Sequence, residues 1–326
     1  MQPIHVTDPA LAAPHPRGDG PALIAVAIGN AALAFGPMFV RLSDTGPVAA
    51  AFWRIMLALP VLGVAAWLAR SPGTRAAPPR RLALFLVLAG VAFAADLGSW
   101  HVGILGTTLA NATLFGNVAI FIFPVWGFFI ARTWPSKSQA LALLLAVLGA
   151  ALLMGRSYQL DPRHLLGDLL CVLAGVLYAV YFILMADVRR TMPPLATLAW
   201  SSAVSIPPLL LFAIVLGERI VPDDWTPLLA LALISQIIGQ GCMVYALGRL
   251  SPLVMGVALL IQPVVAGTIG WVGFGERLGT ADLVGVAMVA VALVLVRREP
   301  GPVTATASLT DAITDGMADQ MAGKNR

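Results

Sequence analysis

Apolar residues run in long blocks along almost the whole chain, and polar residues gather in the short gaps between them. A membrane helix needs ~20 mostly apolar residues. Ten stretches fit that length: 22–41, 48–68, 82–102, 108–131, 138–155, 165–186, 195–216, 226–247, 252–272 and 279–296. The fifth is the shortest. Most connections are brief, so neighbouring helices should run antiparallel. The pattern predicts an all-α membrane protein with ten transmembrane helices.

Composition sharpens this picture. Of 326 residues, 59% are hydrophobic and 11% charged, with mean hydropathy +0.88. A soluble domain is nearer a quarter charged, so this chain has too little polar surface to cover one in water. The net charge of +4 is spread between apolar blocks and forms no patch, so nucleic acid is not an expected partner. Cys171 and Cys242 both lie in apolar stretches, which speaks against a disulfide framework. The opening "MQPIHVTDPALAAPHPRGDG" is polar and Pro-rich and lacks the charged start of a cleaved signal. Residues 1–21 are expected to form a cytoplasmic tail, and 298–326 a disordered cytoplasmic tail.

Lys and Arg in the loops set orientation. With the N-terminus inside, fourteen of the twenty basic residues fall on the inner side. Five, Arg41, Arg156, Arg163, Arg219 and Arg277, fall outside, and Arg54 lies within a span. An even span count also puts both termini on one side. The expected location is a bacterial inner (plasma) membrane with both termini cytoplasmic.

The two halves echo each other. "PVAAAFW" (47–53) and "PLATLAW" (194–200) open the second and seventh spans. "HVGILGTT" (101–108) and "YALGRLSP" (245–252) close the third and eighth, and Pro124 and Pro263 interrupt the fourth and ninth. The offsets are 147, 144 and 139. A five-helix unit repeated after an odd number of spans must be inverted in the bilayer. The expected units are 22–155 and 165–297. Inverted repeats point to a transporter with its site near the midplane, and prolines at matching places to bent or broken helices. A plain kink is the simpler reading of each proline.

Three blocks carry a family resemblance: "GPVAAAFWRIMLALP" (46–60), "ADLGSWHVGILGTTLANATL" (95–114) and the long block from Ala246 to Val289. With "GDLLCVLAGVLYAVYFI" (167–183), they make the chain resemble the ten-helix EamA-type members of the drug/metabolite transporter superfamily over residues 22–297. The resemblance implies alternating-access transport of metabolites or amino acids, often as export. Two departures stand out. "ARTWPSKSQ" (131–139) lacks the acidic turn usual in the first half, and Gln262 stands where Glu usually precedes the proline of the ninth span.

Charges inside spans are costly and normally face the bundle interior or a wet cavity. Arg54 is ~9 Å from the outer end of its span, and Asp96 ~10 Å. They form either a fixed ion pair or part of a cavity wall, where Asp96 would take a cation or proton and Arg54 an anion. Trp100 shares a helical stripe with Asp96. His101 reads either as an interfacial anchor or as the pH-sensitive group of proton-linked transport. Asn111 suits helix–helix hydrogen bonding, whereas Asn117, nearer Pro124, suits the cavity.

The second half supplies neutral groups. Gln236 and Gln240 are four apart on one face, Gln240 corresponds to Asp96, and Gln262 precedes Pro263. Tyr178, Tyr181, Trp53 and Trp200 could stack on a flat solute, or simply pack. Glu276 reads as a turn residue. The expected cavity therefore takes in Arg54, Asp96, Trp100, His101, Asn111, Asn117, Tyr178, Gln236, Gln240 and Gln262. No cluster of carboxylates and His suggests a metal, no phosphate loop suggests ATP, and no cofactor is expected. Partners would be a small-molecule substrate and the lipid bilayer, with room for a homodimer. A secondary transporter accounts for these features best. A polytopic enzyme would need a nucleophile beside Asp96 and His101, and a membrane assembly protein leaves the buried charges without a purpose.

Overall fold

A computed structural model describes residues 20–70, 78–107, 112, 115–132, 134–155, 162–265, 268 and 279–298. The tails, Asn111 and Glu276 lie outside the described residues. Among those described, the regular structure is helical throughout. The helices are α1 (Gly20–Leu33), α2 (Gly36–Leu42), α3 (Pro47–Leu68), α4 (Arg80–Gly106), α5 (Ala119–Ala131) and α6 (Lys137–Gly155) in the first half. The second half holds α7 (Leu165–Val188), α8 (Pro194–Val215), α9 (Thr226–Leu247), α10 (Pro252–Ala258) and α11 (Thr280–Arg298). Six apolar helical stretches reach membrane-crossing length: Gly20–Leu42, α3, α4, α7, α8 and α9. Shorter apolar helices occupy Ala119–Ile130, Lys137–Gly149, Pro252–Val265 and Leu283–Leu295.

The packing has an internal symmetry. Helix α3 packs on α8, α5 on α10, and α6 on α11. The most extensive contact, α4 on α7, is matched by α9 on α1, and α4 on α8 is matched by α9 on α3. Exchanging each helix for its counterpart five spans later leaves these pairings unchanged. Small residues bring the backbones together at equivalent crossings, as lipid-embedded helices require in the absence of a hydrophobic drive between them. A Cβ at Gly103 would lie 2.7 Å from Cys171 Sγ and 3.1 Å from the Gly167 carbonyl. At the matching crossing, a Cβ at Gly29 would lie 2.9 Å from the Gly239 carbonyl.

Among the described residues, three breaks interrupt the helices. Gly20–Leu42 turns at Ala34–Phe35, just before Gly36 and Pro37. A second turn falls at Asn117–Val118 and a third at Leu259–Leu260. There the bonds shorten to i→i−3, as from Ile120 to Asn117 and from Gln262 to Leu259. The third begins four residues before Pro263, which lacks the N–H and whose ring crowds the carbonyl four residues back; the second ends six residues before Pro124, which sits inside the following helix. In α9, residues Leu231–Gln240 form π-helix, a geometry that tends to occur at functional sites.

The loop after α8 lies across the start of α3. The Glu218 carboxylate accepts from the Val48 and Ala49 N–H groups at 3.2 and 2.7 Å. Gly46 N–H donates to the Arg219 carbonyl, and Trp53 Nε1–H to the Ile220 carbonyl at 2.7 Å. Arg219 bridges Asp44 and Asp223, and Asp223's acceptance holds its pKa above the ordinary value. Gly217, at φ +66°, makes the reversal that starts this loop.

The close crossings generate a prediction. Gly103→Val should lower the melting temperature of the purified protein sharply, by the equivalent of about 2 kcal/mol or more from overpacking. An unchanged melt in detergent would contradict the backbone approach described.

Candidate functional site

A cavity of about 110 Å³ sits where the halves meet. Its walls come from the α1–α2 break, α3, α4, the turn at 116–117, α7, α9 and the turn before Pro263. Arg54, Asp96, Trp100, Asn117, Tyr178, Gln240 and Gln262 all line it. These seven come from six different parts of the chain in both halves, with Asp96 and Trp100 sharing α4, so only the tertiary fold brings them together.

Arg54 is 4% exposed and Asp96 8%, yet they form no ion pair within 4 Å. Asp96 makes no hydrogen bond or ion pair with any described residue. Both Arg54 and Asp96 line the same cavity, but α4 does not stop where hydropathy falls. Gly103–Gly106 extend α4, leaving Asp96 ten residues, or ~15 Å, from its end. Arg54 is seven residues from the start of α3, or ~10 Å. Arg54 is tied elsewhere: its Nε–H donates to Gln236 Oε1 at 3.0 Å, and its Cζ lies 6.0 Å from the Phe93 ring centre.

The other groups divide between wall and support. Tyr178 OH donates to Gln240 Oε1 at 3.3 Å, while Gln240 Nε2 is buried with no hydrogen bond within normal distance among the described residues. Tyr178 packs on Phe182, and Tyr181 on Phe93 at 4.6 Å, forming an aromatic stack behind the cavity. Gln236 does not share the cavity with Gln240 as the one-face reading expected. In the π-helical segment it turns to Arg54 and donates to Ser202 Oγ at 3.2 Å. His101 is fully buried and reaches neither the cavity nor an interface. Its Nδ1 lies 2.6 Å from the Leu97 carbonyl, which can only accept, so Nδ1 carries the proton. Its Nε2 has no hydrogen-bond partner among the described residues. Pro124 and Pro263 stay off the wall, and the turns before them supply Asn117 and Gln262. Trp53 is spent on the loop bond to Ile220 and an edge contact with Trp225, and Trp200 is 42% exposed.

Sequence reading missed Asn30. Its Oδ1 accepts from Gln262 Nε2 at 2.9 Å, and its Nδ2 donates to the Val26 carbonyl at 2.8 Å. It also missed Gly36 and Pro37, whose adjacency was a visible turn signal. No group of three His, Cys, Asp or Glu able to hold a metal occurs among the described residues.

The sequence model of the EamA-like transporter family matches residues 20–155 and again 165–298. The chain belongs to that family. The match falls twice, one copy per half, and the cavity lies between the two EamA copies. No curated protein matches the chain. A solved crystal structure superposes with a TM-score of 0.68 at 17% identity, covering 86% of this chain and 98% of the other. That likeness establishes the shared fold.

The unpaired carboxylate generates a prediction. A buried charge without a partner is costly, so Asp96→Asn should leave the melting temperature at neutral pH equal to or above that of the wild type. A large drop would mean that Asp96 holds the bundle together through an ion pair after all.

Proposed function

We propose that this protein is a secondary transporter that moves a small amphipathic organic solute by alternating access, with export as its direction. The observation that carries the reading is the cavity between the two EamA copies. It offers one carboxylate, one guanidinium, four neutral polar side chains (Asn117, Tyr178, Gln240 and Gln262) and an aromatic side. A volume of about 110 Å³ suits a metabolite of amino-acid size. Such a set fits a metal ion poorly, since a divalent cation would want several oxygen or nitrogen ligands from clustered carboxylates or His.

In this reading the ten helical segments all cross the bilayer, and the two five-helix units are inverted relative to each other. Both termini are cytoplasmic, in a bacterial inner membrane. The exchange of packing partners between the halves supports a two-fold relation. The charge bias of the loops supports the orientation. In this reading the protein is a carrier and not an enzyme, which its membership of a transporter family supports.

Asp96 is the coupling group. An isolated carboxylate in a dry site is stable when it binds a proton or a cation. A solute cation arriving at Asp96 displaces the proton, and the proton returns when the solute leaves. Transport then follows the pH gradient.

Flux in proteoliposomes, run over a metabolite panel with and without a pH gradient, tests this. Expected is solute movement that the gradient accelerates in wild type. In Asp96→Asn, the gradient response should vanish although the protein reconstitutes normally. Gradient-independent flux in wild type would remove Asp96 from the coupling role, and no flux for any solute would sink the transporter reading.

A further inference from the structure

Arg54 is the cavity's only cation among the described lining residues, and something outside the cavity holds it. Its Nε–H donates to Gln236 Oε1 at 3.0 Å, and Gln236 Nε2 donates to Ser202 Oγ at 3.2 Å. A guanidinium can only donate, so Gln236 must turn its oxygen toward Arg54 and its NH₂ toward Ser202. Gln236 and Ser202 are both fully buried. Neither lines the cavity. The chain of bonds runs from α3 through α9 to α8, across the boundary between the two halves.

The relay leaves a particular part of Arg54 unused. The two Nη nitrogens make no hydrogen bond to any described residue. With Nε tethered, these two remain as the parallel fork that Arg54, as a lining residue, can offer the cavity. That geometry matches an oxyanion bidentately, and is one reason Arg outperforms Lys at such sites. Asp96 shares the cavity and repels negative charge, which disfavours a doubly charged phosphate. A single carboxylate is the better match.

We propose that Gln236 and Ser202 are positioning residues that aim the Arg54 fork at a carboxylate of the transported solute. Two side chains that never touch the solute thereby set its preference for carboxylate-bearing molecules over the corresponding amines. The proposal rests on the cavity being the transport site. A purely structural role for the same bonds would join α3, α8 and α9 and leave ligand preference alone.

The two roles are separable in the full-length protein purified in detergent. Trp100 lines the cavity, so ligand binding can be followed by its fluorescence, with Trp100→Phe as the control for the other tryptophans. The probes are two pairs that differ only by a carboxylate: valine with isobutylamine, and leucine with isoamylamine. The readout is the ratio of dissociation constants, amine over amino acid.

In wild type the amino acid should bind about tenfold more tightly, the scale of one charge-assisted hydrogen-bonded contact. Gln236→Leu should bring the ratio to about one while amine affinity stays within about twofold. Ser202→Ala should move it the same way by about threefold. Gln236→Glu should keep Arg54 tethered but cancel its charge, so that the amine becomes the preferred member. The last two variants carry the test if Gln236→Leu does not fold.

A Gln236→Leu ratio equal to wild type overturns the proposal, as does an equal loss for both members of each pair. A wild-type preference for the amines overturns it too. If wild type binds neither member of either pair, the carboxylate proposal and the cavity's reading as an amino-acid-sized site fall together. If wild type binds both and only the ratio fails to move, the positioning role alone falls.

Discussion

Every polar group in the middle of this chain must be answered from inside the bundle, because hydrocarbon around α3 or α7 offers no partner. Most of the cavity's architecture follows from how that demand is met. Arg54 is answered by Gln236, Gln240 by Tyr178, and Gln262 by Asn30. Among the described residues, Asp96 alone of the charged groups there has no hydrogen-bond or ion-pair partner. A bundle that fixes its guanidinium and leaves its carboxylate open has an obvious place for something that arrives and departs.

The bonds that answer these groups mostly cross the boundary between halves. Gln236 and Ser202 come from the second half to hold Arg54 of the first. Gln262 comes from the second half to Asn30 of the first. The helices at the boundary approach through glycine, as at Gly29 against Gly239. Rigid-body movement of one half against the other would therefore register directly at the solute-facing groups. Aromatic packing behind the cavity, from Phe93 through Tyr181 to Phe182, gives those groups a firm backing.

The helices were legible in the sequence because a lipid-facing helix has to be apolar over its length, and that leaves a mark on every residue. Arg54 and Asp96 were legible for the opposite reason, as costly exceptions within such helices. What hydropathy could not give was the end of α4, since Gly103–Gly106 are only weakly distinctive and remain helical through packing on α7. That shift in boundary leaves Asp96 farther from the end of its helix than hydropathy suggested. The roles of Asn30 and Gln236 were illegible for a different reason. Their partners lie 232 and 182 residues away, and no local pattern records such a meeting. His101 looked like a surface-facing titratable group and is instead enclosed beside Trp100.

The loop after α8 carries a consequence for how the two halves relate as folding units. A helix begins with N–H groups that it cannot satisfy itself. For α3, the second span of the first copy, those at Val48 and Ala49 are satisfied by Glu218, which belongs to the second copy. The indole of Trp53 depends on the same loop. A first copy standing alone would begin that helix with bare amides and an unpaired indole. The sequence repeats itself, but the repeats are not self-sufficient modules: one finishes the other, and the duplication survives as a single obligate body.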